Sequence, residues 1–259
     1  MLLSLPLQTD AAYNQIVHIR KTKRSRAIGK ETSPSAKPPR TIAIDGPGAS
    51  GKSGVGSLVA ERLGYRFLDT GEMYRALTWF ILESGIDPTD GERLGKVASQ
   101  ASMTVGAASE ESAQHSRVLV EGKDATPFLV RPEVENAVSL VSRVPAVRQA
   151  MVAIQRRIAA EGAIVMAGRD IGTTVLPDAA LKVYLEASPE ERARRRQRQA
   201  AARGEKTTLE SVLEDLSRRD AIDSSRETSP LRPAADAVII KTDGLSLEQV
   251  VERIMAFTQ

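Results

Sequence analysis

Residues 41–53 read TIAIDGPGASGKS, and the fold follows from how this stretch is divided. Thr41 to Asp45 is a short apolar run of the kind that forms a strand buried on both faces. Gly46 to Ser53 fits G-x-x-x-x-G-K-[ST], and beyond it Val55, Leu58, Val59, Arg62 and Leu63 recur at helical spacing. A strand, a glycine-rich turn and an amphipathic helix in this order place backbone N–H groups and a helix N-terminus around a phosphate. Gly46, Pro47, Gly48, Ala49, Ser50 and Gly51 would form the cradle. Lys52 would reach the outer phosphates, and Ser53 would ligate Mg²⁺. Gly46, Gly48 and Gly51 also satisfy G-x-G-x-x-G, with Asp69 at the end of the next strand as a dinucleotide fold requires. Lys52 decides between the two, because the dinucleotide fold has no use for a lysine aimed at phosphate.

Outward from this loop, apolar runs at Tyr65–Asp69, Ala163–Ala167, Leu181–Leu185 and Ala237–Lys241 predict four more strands. Helical patterns cover Glu72–Ser84, Glu92–Ala101, Pro145–Ala160, Pro189–Ala202, Leu209–Arg219 and Ser246–Phe257. Strands alternating with helices predict an α/β fold with a five-stranded parallel sheet covered on both faces, in three layers. Residues 102–130 interrupt the rhythm with short MTV and RVLV runs, which predict a small antiparallel insertion. Gly54 and Gly56 lie inside the first helix and cost about 1 kcal/mol each relative to alanine, so either something approaches the backbone closely there or the cost is simply tolerated.

The chain has 259 residues, 41% hydrophobic and 27% charged, with no cysteine and only two histidines. That composition is globular. It excludes disulfides, thiolate catalysis and zinc ribbons, and it disfavours histidine metal cages and serine–histidine hydrolysis. The net charge of +3 is unevenly spread. Residues 1–40 carry eight Lys/Arg against Asp10 and Glu31, so the remainder is slightly acidic, which argues against an extended polyanion-binding face. Residues 1–40 read as a disordered basic N-terminal extension, its stretch 20–40 rich in Lys, Arg, Ser and Pro, with a composition that a transit peptide also shows. No apolar run is long enough to span a bilayer. We expect a cytoplasmic monomer with no nucleic-acid or membrane partner.

Further motifs carry a resemblance. DTGEMYR at 69–75, VSLVSRVPAVR at 138–148, GRDIGT at 168–173, ERARR at 191–195 and RDAIDSSR at 219–226 occur in order. Together with the phosphate loop they resemble the bacterial cytidylate kinases, a nucleoside monophosphate kinase family that phosphorylates CMP and dCMP with ATP. The resemblance runs from about Thr41 to Ile254 and implies a kinase domain over 41–259. Within it would lie an acceptor-binding insertion at about 100–136 and a helical lid at about 192–206. It implies that Arg75, Arg219 and Arg226 hold the acceptor phosphate, and that Ser139, Arg148 and Asp170 read the base. Thr70, Tyr74, Arg169 and Asp223 would line the same pocket, Asp223 at the sugar, and Arg192 and Arg195 would close over the donor phosphates.

The chemistry suits the composition. A phosphate monoester is largely dianionic at neutral pH and attacks without a general base, so transfer needs positioning and positive charge. Cytosine offers an N4 donor to a carboxylate, where uracil offers O4. Two positions depart from the family pattern. Ala167 stands where an acidic residue is usual, leaving Asp45, Asp69 or Asp170 to support the metal, and Ile222 replaces a common arginine. Two other readings remain: a related kinase with a different acceptor, or a nucleotide-binding protein with impaired turnover. The bland reading of Asp170 is a helix cap or an ion pair with its neighbour Arg169.

Overall fold

The computed structural model describes residues 40–106 and 116–258; the expected disordered extension falls, apart from Arg40, outside these. Five strands form one parallel sheet: β1 (Thr41–Asp45), β2 (Arg66–Asp69), β6 (Ile164–Gly168), β7 (Leu181–Glu186) and β8 (Val238–Lys241), in the order β2-β6-β1-β7-β8. Alternation along each strand sorts side chains to the two faces. Ile42, Ile44, Val165, Val183 and Leu185 pack under α1 (Lys52–Leu63) and α8 (Leu247–Met255), with Val55, Val59, Val250, Val251 and Ile254. Ala43, Ile164 and Met166 face the opposite layer, which includes Met73 and Leu77 of α2 (Thr70–Glu83) and Val147 and Met151 of α5 (Pro145–Ala160). Fully buried aliphatic side chains of this kind contribute about 1.5–3 kcal/mol each.

The expected insertion is an antiparallel sheet, β3 (Met103–Gly106), β4 (Arg117–Val120) and β5 (Lys123–Asp124), reached through α3 (Gly91–Gln100). It is followed by α4 (Pro132–Ser142), a helix the sequence reading passed over although its signals were present. Pro132 opens it, Glu133 and Glu135 lie in its first turn, and Val134, Ala137, Val138 and Val141 recur at helical spacing. α4 and α5 meet at a 98° bend. α6 (Pro189–Ala202) matches its expected bounds, whereas α7 (Leu209–Ser224) runs past Arg219. Among the described residues no single helix is long and apolar enough to cross a membrane.

The two glycines of α1 separate. A Cβ on Gly56 would meet the Phe67 ring at 2.5 Å, whereas one on Gly54 would make ordinary contact with Leu247 at 3.4 Å. Close approach explains Gly56 and tolerance explains Gly54.

Candidate active site

The phosphate loop, the 69–75 segment and the 168–173 segment leave the sheet at the carboxyl ends of β1, β2 and β6, where α/β folds bind ligands. The loop after β1 is built for close approach. A Cβ on Gly46 would lie 2.3 Å from the Leu185 carbonyl oxygen, and Ala49 is held at φ 58. Gly51, at φ 97, caps α1 without any side-chain bond, so no capping side chain competes for the first amides of the helix. Lys52 is buried, its Nζ donating to the Pro47 carbonyl at 2.6 Å and to Ser50 Oγ at 3.3 Å. Burial, then the nearby Arg169, pulls its pKa well below the usual lysine value against Asp69, Asp45 and Asp220. A bound phosphate would add negative charge that favours the protonated amine.

Asp69 ends β2 and caps α2, and that explains why the helix begins at Thr70 instead of Glu72. Its Oδ1 accepts from the Gly71 amide at 2.8 Å, and its Oδ2 accepts from Ser53 Oγ at 2.5 Å. Ala167 is the residue directly opposite Asp69 on β6. Asp45, another candidate metal support, is otherwise engaged: both its oxygens accept backbone amides, from Ile171 and Gly172, at 2.7 Å. Asp170 is also committed, to an arginine. Only Asp69 joins Ser53, and a hydroxyl beside one carboxylate is the sparse, hard-oxygen donor set that Mg²⁺ accepts when phosphates complete its shell. Among the described residues no group of three or more His, Cys, Asp or Glu side chains is placed to hold a metal.

Asp170 pairs with Arg148 of α5, not with Arg169, and its side chain makes no cap bond; both bland readings of Asp170 fail. Arg148 also donates to the Ser142 carbonyl at 3.3 Å, and its guanidinium lies 5.6 Å from the centre of the Tyr74 ring. Burial opposes the Arg148 charge, but Tyr74 and Asp170 carry its pKa upward. Burial pushes the Tyr74 hydroxyl up to about 12. Asp223 accepts from Arg169 Nε at 3.0 Å and from Arg226, which also reaches Ser142 Oγ at 2.9 Å. Carboxylates outweigh burial at Arg169 and raise its pKa, whereas burial prevails at Arg226 and lowers it. Buried Nε atoms of Arg75, Arg148 and Arg226 have no partner. Natural proteins seldom leave such donors unpaired unless a ligand or water takes them.

Tyr74, Arg148, Arg169, Asp170, Asp223 and Arg226 thus form one linked cluster. Thr70 is spent on structure, donating to the Ala167 carbonyl at 2.9 Å. For Ser139 the described bond is at its carbonyl, which takes the Ser142 hydroxyl at 3.4 Å. Ser142, one helical turn on, was missed by the sequence reading, although its i+3 spacing from Ser139 was visible. Arg219 stands apart from the cluster, paired with Asp215 at 3.1 Å and influenced by Glu135 and Arg196.

The arginines of α6 lie over the loop. Arg192 donates to the Gly48 carbonyl at 3.2 Å and pairs with Asp220 of α7 at 2.6 Å. Arg195 donates to the carbonyls of Ser50 at 3.2 Å and Thr242 at 2.6 Å. Arg196 instead reaches Glu135 of α4. Asp220 was not singled out from the sequence, although it follows Arg219 directly in the last motif.

A strand, a glycine cradle and a helix that begins with a buried lysine, with Arg192 and Arg195 of α6 donating to the cradle's carbonyls, define a P-loop phosphotransferase. The family model described as cytidylate kinase matches residues 42–259. The cytidylate kinase of Geobacillus kaustophilus is 51% identical over 215 residues, 83% of this chain and 94% of that protein. That of Geobacillus thermodenitrificans is 50% identical over 214 residues, with the same coverage. A bifunctional pantoate ligase/cytidylate kinase of Synechococcus sp. is 46% identical over 235 residues, 90% of this chain and 43% of that longer protein. The chain belongs to the cytidylate kinase family.

Proposed function

We infer that the chain transfers the γ-phosphoryl group of ATP to CMP or dCMP, giving ADP and CDP or dCDP, with Mg²⁺ as cofactor. The observation that carries this reading is the buried Arg148–Asp170 pair, linked through Ser142 and Arg226 to Asp223 and Arg169 beside the phosphate loop. A paired carboxylate and guanidinium present an acceptor and donors in one plane, which matches the N4 donor beside the N3 and O2 acceptors of cytosine.

In the proposed reaction, an oxygen of the acceptor phosphate attacks the γ-phosphorus while the bond to the β-bridging oxygen breaks, and ADP leaves. No proton need be removed, since the acceptor is already dianionic. Lys52 and the α1 amides hold the donor phosphates, and Arg192 and Arg195 approach the same loop from α6. That placement supports their role in a closing lid over about 192–206. Arg75, Arg219 and Arg226 would take the acceptor phosphate, with Asp223 at the sugar, and Ser139 and Tyr74 beside the base. The small sheet and the start of α4 would form the acceptor-binding insertion of about 100–136. Ser53 and Asp69 would hold Mg²⁺, which when bound neutralises charge on the donor phosphates. Asp69 then supplies the carboxylate that Ala167 cannot. We further propose a cytoplasmic monomer acting without nucleic acid or membrane.

A coupled assay of ADP formation with CMP, dCMP, UMP and AMP tests the reading. Preference for CMP and dCMP supports it. Preference for AMP or UMP points to a different acceptor, and ATP binding without turnover on any acceptor means the active centre is impaired.

A further inference from the structure

Asp45 is the last residue of β1 and is followed directly by Gly46 of the phosphate loop. Its carboxylate nevertheless points its chemistry at another segment, 126 residues away in sequence. Oδ1 accepts the Ile171 amide and Oδ2 the Gly172 amide, each at 2.7 Å, and the residue is 3% exposed. These amides open the π-helical turn Ile171–Val175. The first amides of any helical turn lack partners within it, and here one carboxylate takes two of them.

The turn is pinned at its other end as well. Arg156 of α5 donates to the carbonyls of Thr174 at 2.7 Å and Val175 at 2.9 Å. Between these anchors and β6 stand Arg169 and Asp170, the latter at φ −146, ψ 29, outside the regular helix and strand regions. Single π turns recur at functional sites, where they hold a backbone that sequence alone would not. Asp170 and Lys52 are the charged groups that act on Asp45 from neighbouring segments. A buried carboxylate facing another carboxylate is costly, and the two short bonds to the turn offset part of that cost.

We propose that Asp45 is a positioning residue for acceptor recognition. By gripping the Ile171 and Gly172 amides it sets the place of Asp170, which pairs with Arg148, and of Arg169, which pairs with Asp223. It thereby joins the strand that carries the donor loop to the turn that reads the acceptor. This rests on the CMP kinase reading of the site. Asp45 itself contacts neither nucleotide in this scheme, and although its charge also acts on Lys52, its main effect is on acceptor selection.

The test is Asp45→Asn. The amide keeps the shape and one accepting oxygen but sets an N–H against an N–H. Loss of one hydrogen bond to a charged acceptor corresponds to about a tenfold change or more. The expected result is a fall of about tenfold in the ratio of kcat/KM for CMP over UMP and a rise in the KM for CMP. The Kd for ATP, measured by direct binding, should stay within about twofold. The ratio does not depend on how much protein is folded, so a merely structural role would leave it unchanged. Gly172→Ala approaches the same bond from the other side, since its Cβ would lie 3.3 Å from Asp45 Oδ2 and 3.1 Å from Lys182 Cδ. It decides the matter if Asp45→Asn does not fold, and should lower the ratio as well. A wild-type ratio in whichever variant folds overturns the inference while leaving the CMP kinase reading intact. Wild-type protein with no preference for CMP overturns that reading and this inference together.

Discussion

Asp170→Asn separates base reading from phosphoryl transfer. In the folded protein Asp170 is 4% exposed and its hydrogen-bond partner, among the described residues, is Arg148, itself 4% exposed. The substitution keeps the volume and one oxygen for Arg148 but removes the charge. A hydrogen bond to an ionised group contributes about 1.5–3 kcal/mol, so the N4 contact of cytosine should weaken by about 10- to 150-fold. The asparagine amide can also turn an N–H toward O4 of uracil, which an ionised carboxylate repels. The ratio of kcat/KM for CMP over UMP should therefore fall by about 30-fold or more. Breaking a buried ion pair by removing one partner costs about 3–5 kcal/mol; because asparagine still accepts from Arg148, the loss here should be smaller. The assay is steady-state ADP release with each acceptor, alongside a thermal melt of each protein. If both acceptors slow equally and their ratio stays within about twofold of wild type, Asp170 does not read the base.

Lys52→Ala should lower kcat by about 10²- to 10³-fold with CMP and dCMP alike, as expected for a group that stabilises developing charge; near-normal turnover removes the lysine from the mechanism. Gly56→Ala should destabilise by about 1–3 kcal/mol because the Phe67 ring must shift, while Gly54→Ala should be neutral or gain up to about 1 kcal/mol. Equal melting temperatures for the two variants refute that distinction. Burial pushes the Asp45 carboxyl up from 3.8 to about 6, against the Gly172 and Ile171 amides. Over that window the folded chain binds a proton that the unfolded chain does not, so this contribution to stability is complete below about 3.8 and lost as pH rises through 6. Relative to Asp45→Asn, wild-type unfolding free energy should rise by about 1.4 kcal/mol per unit as pH falls from 6 toward 4. Urea titrations at pH 5 and 7.5 check it, and a pH-independent difference contradicts the burial of that charge.

The phosphate loop was legible from its own residues because a cradle of consecutive amides is a local object. Gly46 to Ser53 needs only the strand before it and the helix after it. The central strands were legible for a similar reason: a strand covered on both faces must be apolar throughout, as in Ile42–Ala43–Ile44 and Ile164–Val165–Met166. The proposed acceptor site was legible only as resemblance. Its contacts join Arg148 to Asp170 across 22 residues, Arg169 to Asp223 across 54 and Arg226 to Ser142 across 84, and no periodicity encodes such pairings.

The run past Arg219 shows the same limit. DAIDS at 220–224 has no helical apolar face, yet α7 continues through it, where Asp223 binds both Arg169 and Arg226 and Asp220 binds Arg192. Tertiary ion pairing there overrides weak local propensity. Residue identity alone left Asp45, Asp69 and Asp170 equivalent as buried carboxylates near strand ends. Folding gave them three tasks, one holding a turn, one beside Ser53 and one facing Arg148, because a carboxylate's role is set by which donors the chain brings within 3 Å of it.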